Sequence, residues 1–162
     1  MELRFILTIF FVTLPSLSFA ETYSFSKSKM ALVRLYKAHP EVGTFFCGCD
    51  IHWFGWGGIP DLKRCNYSPR KPYNKEGKPN QRARRIEWSH VMPAYWFGHQ
   101  RKCWQEGGRM SCRKDPEFVR MESDLHNLQP TIMEVNRDRS HYQFSVLEGE
   151  DYQYGQCDFE ID

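Results

Sequence analysis

The stretch Arg82-Ala-Arg-Arg-Ile-Glu-Trp-Ser-His-Val-Met-Pro-Ala-Tyr-Trp-Phe-Gly-His99 decides how this chain is read. Arg82, Arg84 and Arg85 lead into a short apolar alternation that ends on His90, and Pro93 closes it. Side chains alternate along a strand, so Ile86, Trp88 and His90 fall on one face and Glu87 and Ser89 on the other. A histidine at a strand end beside clustered positive charge suits attack on a phosphodiester. The arginines hold the anion, and a neutral imidazole takes a proton from water near pH 7. A single strand-end histidine is more often structural, so the rest of the chain must supply a constellation.

Basic residues crowd around this stretch. From Asp61 to His90 the chain carries Lys63, Arg64, Arg70, Lys71, Lys75, Lys78, Arg82, Arg84 and Arg85 against Asp61, Glu76 and Glu87. From Leu147 to Asp162 it carries acids and no base, and the formal net charge is only +2. One basic lobe on a nearly neutral protein points to a localised anion site. Tyr67 and Tyr73, interleaved with the cations, lean that site towards nucleic acid.

Residues 1–20 read as a secretory leader. Arg4 gives a positive n-region, Phe5 to Leu14 an apolar h-region, and Ser18-Phe19-Ala20 a cleavage site. The apolar run is too short to span a bilayer, and no later run is long enough. Residues 21–162 then form one domain, exported and expected to be monomeric and free of the membrane. Export makes the six cysteines meaningful: an even count in an exported chain favours disulfides, whose pairing the sequence leaves open. Cys47-Gly-Cys49 lacks the second close pair that a four-ligand zinc site needs.

In chain order, Ser26 or Ser28 caps a helix with Met30, Val33, Leu35 and Tyr36 as its apolar stripe, ended by His39-Pro40. Thr44 to Trp56 reads as a strand pinned by a disulfide, running into a Gly55–Gly58 turn. Asp50 and His52 there are expected to be an ordinary turn aspartate and an exposed histidine. Asp61 to Gln81, with Pro69, Pro72, Gly77 and Pro79, is a loop. Gly107-Gly108 presents Arg109, an arginine able to reach a phosphate in bidentate fashion or simply to sit on the surface. Asp115-Pro116 opens a helix with Phe118, Met121 and Leu125 buried, and Glu122 and His126 sharing a face. Thr131 and Glu134 form the capping box of a short helix that carries Asn136. Tyr142, Phe144 and Val146 alternate as a strand. The remaining histidines, His39, His52, His99 and His141, carry no expected chemistry.

Several stretches together resemble the endonuclease I family of exported bacterial nucleases: Phe46-Cys-Gly-Cys49, Arg85-Ile-Glu-Trp-Ser-His-Val-Met-Pro-Ala94, Phe97-Gly-His-Gln100, Cys103-Trp-Gln-Glu-Gly-Gly-Arg109, Met121-Glu-Ser-Asp-Leu-His-Asn-Leu-Gln-Pro130, Glu134-Val-Asn-Arg-Asp-Arg-Ser140 and Tyr154-Gly-Gln-Cys157. The resemblance runs from about Ser24 to Phe159. It implies an α+β domain, stapled by disulfides, around a ββα-metal nuclease finger. A strand there delivers a histidine and a short helix an asparagine that ligates a metal. Carried onto this chain, His90 is the general base, Asn136 a ligand of Mg²⁺ (Mn²⁺ or Ca²⁺ as alternatives), and Arg109 the phosphate holder. Glu122 stands at the edge of the metal site through water. Asn127, on our own reading, orients His90. Arg70, Lys71, Arg82, Arg84, Arg85 and Arg109 would bind the nucleic acid. The implied activity is cleavage of DNA, and of RNA, with little sequence preference, leaving 5′-phosphates.

The chain departs from the family pattern in two places. The family reads Glu-Trp-Glu-His before the histidine, its second Glu a direct metal ligand; here that position is Ser89. A serine can still ligate Mg²⁺, and Glu87 or Glu122 can reach the ion through water. The family pattern also continues past Asp162, so the nuclease domain is expected to be shortened at its C-terminus. Two further readings follow: a non-catalytic member that binds nucleic acid through its basic lobe, and an unrelated exported disulfide-stapled binding domain.

Overall fold

The structure, a computed structural model, describes residues 24–149 and 153–161. The expected leader lies outside the described residues.

The first helix, α1 (Phe25–Ala38), has Ser24 at its N-cap, two residues ahead of the nearer expected cap, Ser26. Ser28 instead donates from Oγ to the Ser123 carbonyl at 2.7 Å. Its buried face is Leu32, Val33 and Tyr36. Met30 and Leu35, expected in the stripe, are 36% and 53% exposed. The helix packs one side only against the sheet residues Trp53, Trp88 and Leu128, and both fall outside that side. His39 ends the helix as expected.

The predicted strand from Thr44 is mostly a tight loop. Thr44 N–H donates to the Cys49 carbonyl, and Cys49 N–H returns to Thr44 Oγ1. Only Ile51–Phe54 (β1) is extended, in a hairpin with β2 (Gly57–Pro60). Gly57 and Gly58 therefore belong to a strand, and the turn is Gly55-Trp56. A Cβ on Gly58 would stand 2.7 Å from the Ile51 side chain and 3.2 Å from Ile86, so glycine lets this hairpin lie close against the next strand.

That strand, β3 (Ile86–His90), pairs antiparallel with β4 (Leu128–Ile132), from Ile86 opposite Ile132 to His90 opposite Leu128. Helix α5 (Met133–Arg139) follows β4 without a loop. The ladder holds the chain extended through Ile132, so Thr131 is a strand residue and caps nothing. Glu134 turns away and accepts from Tyr67 Oη (2.8 Å) and from the backbone N–H groups of Arg70 and Lys71.

Between β3 and β4 runs an excursion of three helices: α2 (Ala94–Gly98), α3 (Lys102–Cys112) and α4 (Pro116–Glu122). Asp115 caps α4 as expected, accepting from Glu117 and Phe118 N–H at 3.0 Å. Phe118 is fully buried against Phe97 and Trp104. Helix α4 stops at Glu122, so Leu125 and His126 fall in a separate 3-10 turn and are exposed. Tyr142, Phe144 and Val146 form no strand; Phe144 makes one bridge to Ile161, and all three are exposed.

The six cysteines form Cys47–Cys157, Cys49–Cys65 and Cys103–Cys112. The neighbours Cys47 and Cys49 thus take different partners. Two of the bridges join the cluster of Tyr67, Ile132, Val135 and Tyr154 that supports α5. The architecture is α+β, as expected.

Candidate active site

Backbone pairing fixes the position of His90. It is the last residue of β3 and 6% exposed. Its Nε2 lies 2.9 Å from the Glu122 carbonyl oxygen. A carbonyl only accepts, so Nε2 carries the proton and Nδ1 keeps its lone pair in the neutral ring. Phe25 stacks on the imidazole with 5.3 Å between centroids, and Phe97 meets it edge-on. Burial pushes the His90 pKa below the ordinary histidine value. The Glu122 carbonyl opposes this, whereas the charges of Arg109 and Arg139 act with it.

Arg139 lies in the Glu134–Ser140 stretch, but the sequence assigned it no role. It is 2% exposed, and its guanidinium donates to the His90 and Val91 carbonyls, closing the end of β3. It also lies over the Phe144 ring. Among the described residues no carboxylate pairs with it, and burial lowers its pKa.

Asn127 does not touch the imidazole. Its Oδ1 accepts from Met92 N–H at 2.7 Å, its Nδ2 donates to the Met92 carbonyl at 3.1 Å, and its own carbonyl accepts from Val91 N–H at 2.8 Å. It clasps the chain just past His90, because β4 begins one residue later and returns beside β3. The Glu122 carbonyl is what orients the ring.

The glycine pair presents Arg109 as expected. Gly108 has φ +67°, which breaks α3 and which a side chain would strain. Cys103–Cys112 brackets that turn. Arg109 Nε donates to Glu122 Oε1 at 2.6 Å, and the guanidinium lies 5.4 Å from the Phe25 centroid. Glu122, 4% exposed, is thus already matched by a cation. Arg109 lines all three clefts that meet here, of about 520, 620 and 300 Å³.

The smallest cleft brings together Ser89, His90, Arg109 and Asn136. Ser89 is 3% exposed, and its Oγ has no hydrogen-bond partner among the described residues. Asn136, on α5, donates from Nδ2 to Glu87 Oε1 at 2.5 Å, which leaves its Oδ1 free to ligate. Among the described residues no three His, Cys, Asp or Glu side chains cluster as a metal site. The donors present are instead an orphaned hydroxyl, an amide oxygen and the carboxylate beside it. Such a sparse oxygen set fits Mg²⁺, which keeps several waters and takes one or two protein ligands.

The basic residues divide. Arg82, Arg84 and Arg85 are exposed on and just after the 3-10 turn Gln81–Arg84, and no ion pair engages them among the described residues. Lys71 is exposed too. Arg70 is tied to Asp138 at 2.6 Å. Asp50 pairs with Arg64 at the surface, and the exposed His52 has its Nε2 3.6 Å from Asp61 Oδ2.

Two antiparallel strands, a histidine closing the first, and a helix carrying an asparagine straight after the second define a ββα-metal finger. The chain belongs to the endonuclease I family, whose sequence model matches residues 24–160. It is 50% identical over 142 residues to a periplasmic deoxyribonuclease of Aeromonas hydrophila, covering 88% of this chain and 56% of that protein. An extracellular deoxyribonuclease of the same species is 50% identical over 139 residues (86% and 57%). Endonuclease-1 of Buchnera aphidicola subsp. Acyrthosiphon pisum is 45% identical over 139 residues (86% and 52%). The chain spans about half the length of these relatives. No helix among the described residues is long and apolar enough to cross a membrane. The periplasmic and extracellular names of two of these relatives fit the export expected from the sequence.

Proposed function

We propose that this chain is a divalent-metal-dependent endonuclease that hydrolyses DNA, and RNA, with little sequence preference. The carrying observation is the hydrogen bond from His90 Nε2 to the Glu122 carbonyl. It selects the tautomer in which Nδ1 is the basic atom, and burial keeps the ring neutral near pH 7. His90 then takes a proton from the attacking water. Arg109 exchanges Glu122 for a phosphoryl oxygen and stabilises charge there. Ser89 and Asn136 would hold the cation. When bound, a divalent cation supplies Lewis acidity at the phosphoryl and leaving oxygens. Loss of the 3′-oxygen leaves a 5′-phosphate. Arg82, Arg84, Arg85 and Lys71 supply backbone contacts, which carry no sequence information.

A second reading rests on Ser89. The neutral hydroxyl where the family has a carboxylate favours a member that binds nucleic acid without cutting it. A plasmid-nicking assay with Mg²⁺, with and without EDTA, decides. Metal-dependent nicking that His90→Ala removes supports the first reading; DNA binding with no nicking supports the second.

A further inference from the structure

We infer that Glu87, paired with Asn136, supplies the metal-binding carboxylate in this chain in place of the one absent at Ser89. The inference rests on the metal-dependent reading above and says which side chain carries the negative charge. A site made only of a serine and an asparagine is neutral, and a neutral pair of ligands attracts a hard dication weakly. Two carboxylates stand nearby. Glu122 is 4% exposed and matched by Arg109 at 2.6 Å, so taking a second cation would require breaking that pair. Glu87 has no ion pair among the described residues. It is half-buried, and its Oε1 touches only the Asn136 amide at 2.5 Å.

Placement supports the assignment. Glu87 and Ser89 are two residues apart on β3 and share a face. The hydrogen bond to Asn136 brings α5 onto that face. Asn136 lines both the cleft that contains Ser89 and the one that contains Glu87, so it stands between them. Because its nitrogen is held by Glu87, its Oδ1 is oriented as a ligand. The second oxygen of Glu87 and the orphaned Oγ of Ser89, buried with no partner, complete an oxygen set on that face.

The test is calorimetric titration of the nucleic-acid-free protein with Mn²⁺ and with Mg²⁺. Glu87→Gln, which keeps the shape and the bond to Asn136, should weaken binding by about tenfold or more, since it removes a full charge beside the ion. Glu122→Gln should weaken it less than Glu87→Gln does, because its carboxylate faces Arg109 and not Asn136. Placing Asn136→Asp in the Glu87→Gln background returns a carboxylate to the other half of the pair and should restore much of the affinity. Thermal melting of each variant excludes unfolding as the cause of a loss. A Glu87→Gln protein that is folded and binds Mn²⁺ as the parent does overturns the inference, as does a large loss confined to Glu122→Gln. Failure of the parent to bind either ion overturns the metal-dependent reading itself.

Discussion

His90→Ala should lower the nicking rate by about 10²–10⁴-fold, the usual worth of general-base help, and circular dichroism should show the fold retained. Arg109→Lys should lose most of the arginine's contribution, on the order of 10²-fold, because an ammonium cannot grip a phosphate bidentately. Ser89→Glu should raise Mg²⁺ affinity and rate together, as it restores a charged ligand beside Asn136. The residues behind these predictions were unequally legible. His90 and Arg109 were singled out beside clustered charge and a glycine pair, and Asn136 by the family resemblance; the structure brings the three to one cleft. Glu122 did not reveal that its backbone carbonyl, not its carboxylate, would meet the imidazole, since a backbone contact leaves no mark on residue type. Arg139 was invisible for a related reason: both its acceptors are main-chain oxygens brought near by strand pairing.

Elements were legible where local chemistry decided them. Asp115-Pro116 places the start of α4 by capping alone, and its carboxylate titrates accordingly. The N–H of Phe118, then Arg101, hold the Asp115 pKa below the ordinary carboxylate range, although burial pulls the other way. The sign follows: its contribution to stability is complete above the unfolded pKa near ~4 and is lost as pH falls through the depressed folded value. Asp115→Asn should therefore flatten the acid limb of melting temperature against pH. Strand β4 was missed because Pro130 argues against a strand and because its partner lies far back in the sequence. With β4 unseen, Thr131 passed for a helix cap.

For the molecule as a whole, the α+β class followed from the family resemblance, composition showed the run of basic residues but not that Arg64 and Arg70 are taken up by Asp50 and Asp138, and the disulfide pairing needed three dimensions. Cys47–Cys157 spans 110 residues, and Cys103–Cys112 closes the loop that holds Gly107, Gly108 and Arg109; neither partner is marked by spacing. Arg82→Ala with Arg84→Ala should weaken DNA binding equally across sequences, and the slope of affinity against salt should become shallower by about one counterion for each phosphate no longer neutralised.

Asn127 has a wider consequence. By gripping Met92 and Val91 it pins residues 92 and 127 to one point, and everything between hangs from the finger like a bag on a drawstring. That bag carries Phe97, Arg109 and Glu122, so one clasp decides where the phosphate-facing guanidinium and the ring-orienting carbonyl arrive beside β3. Asn127→Ala should slacken that cord at its knot, and amide hydrogen exchange should quicken at Met92, whose N–H loses its acceptor, before either strand opens.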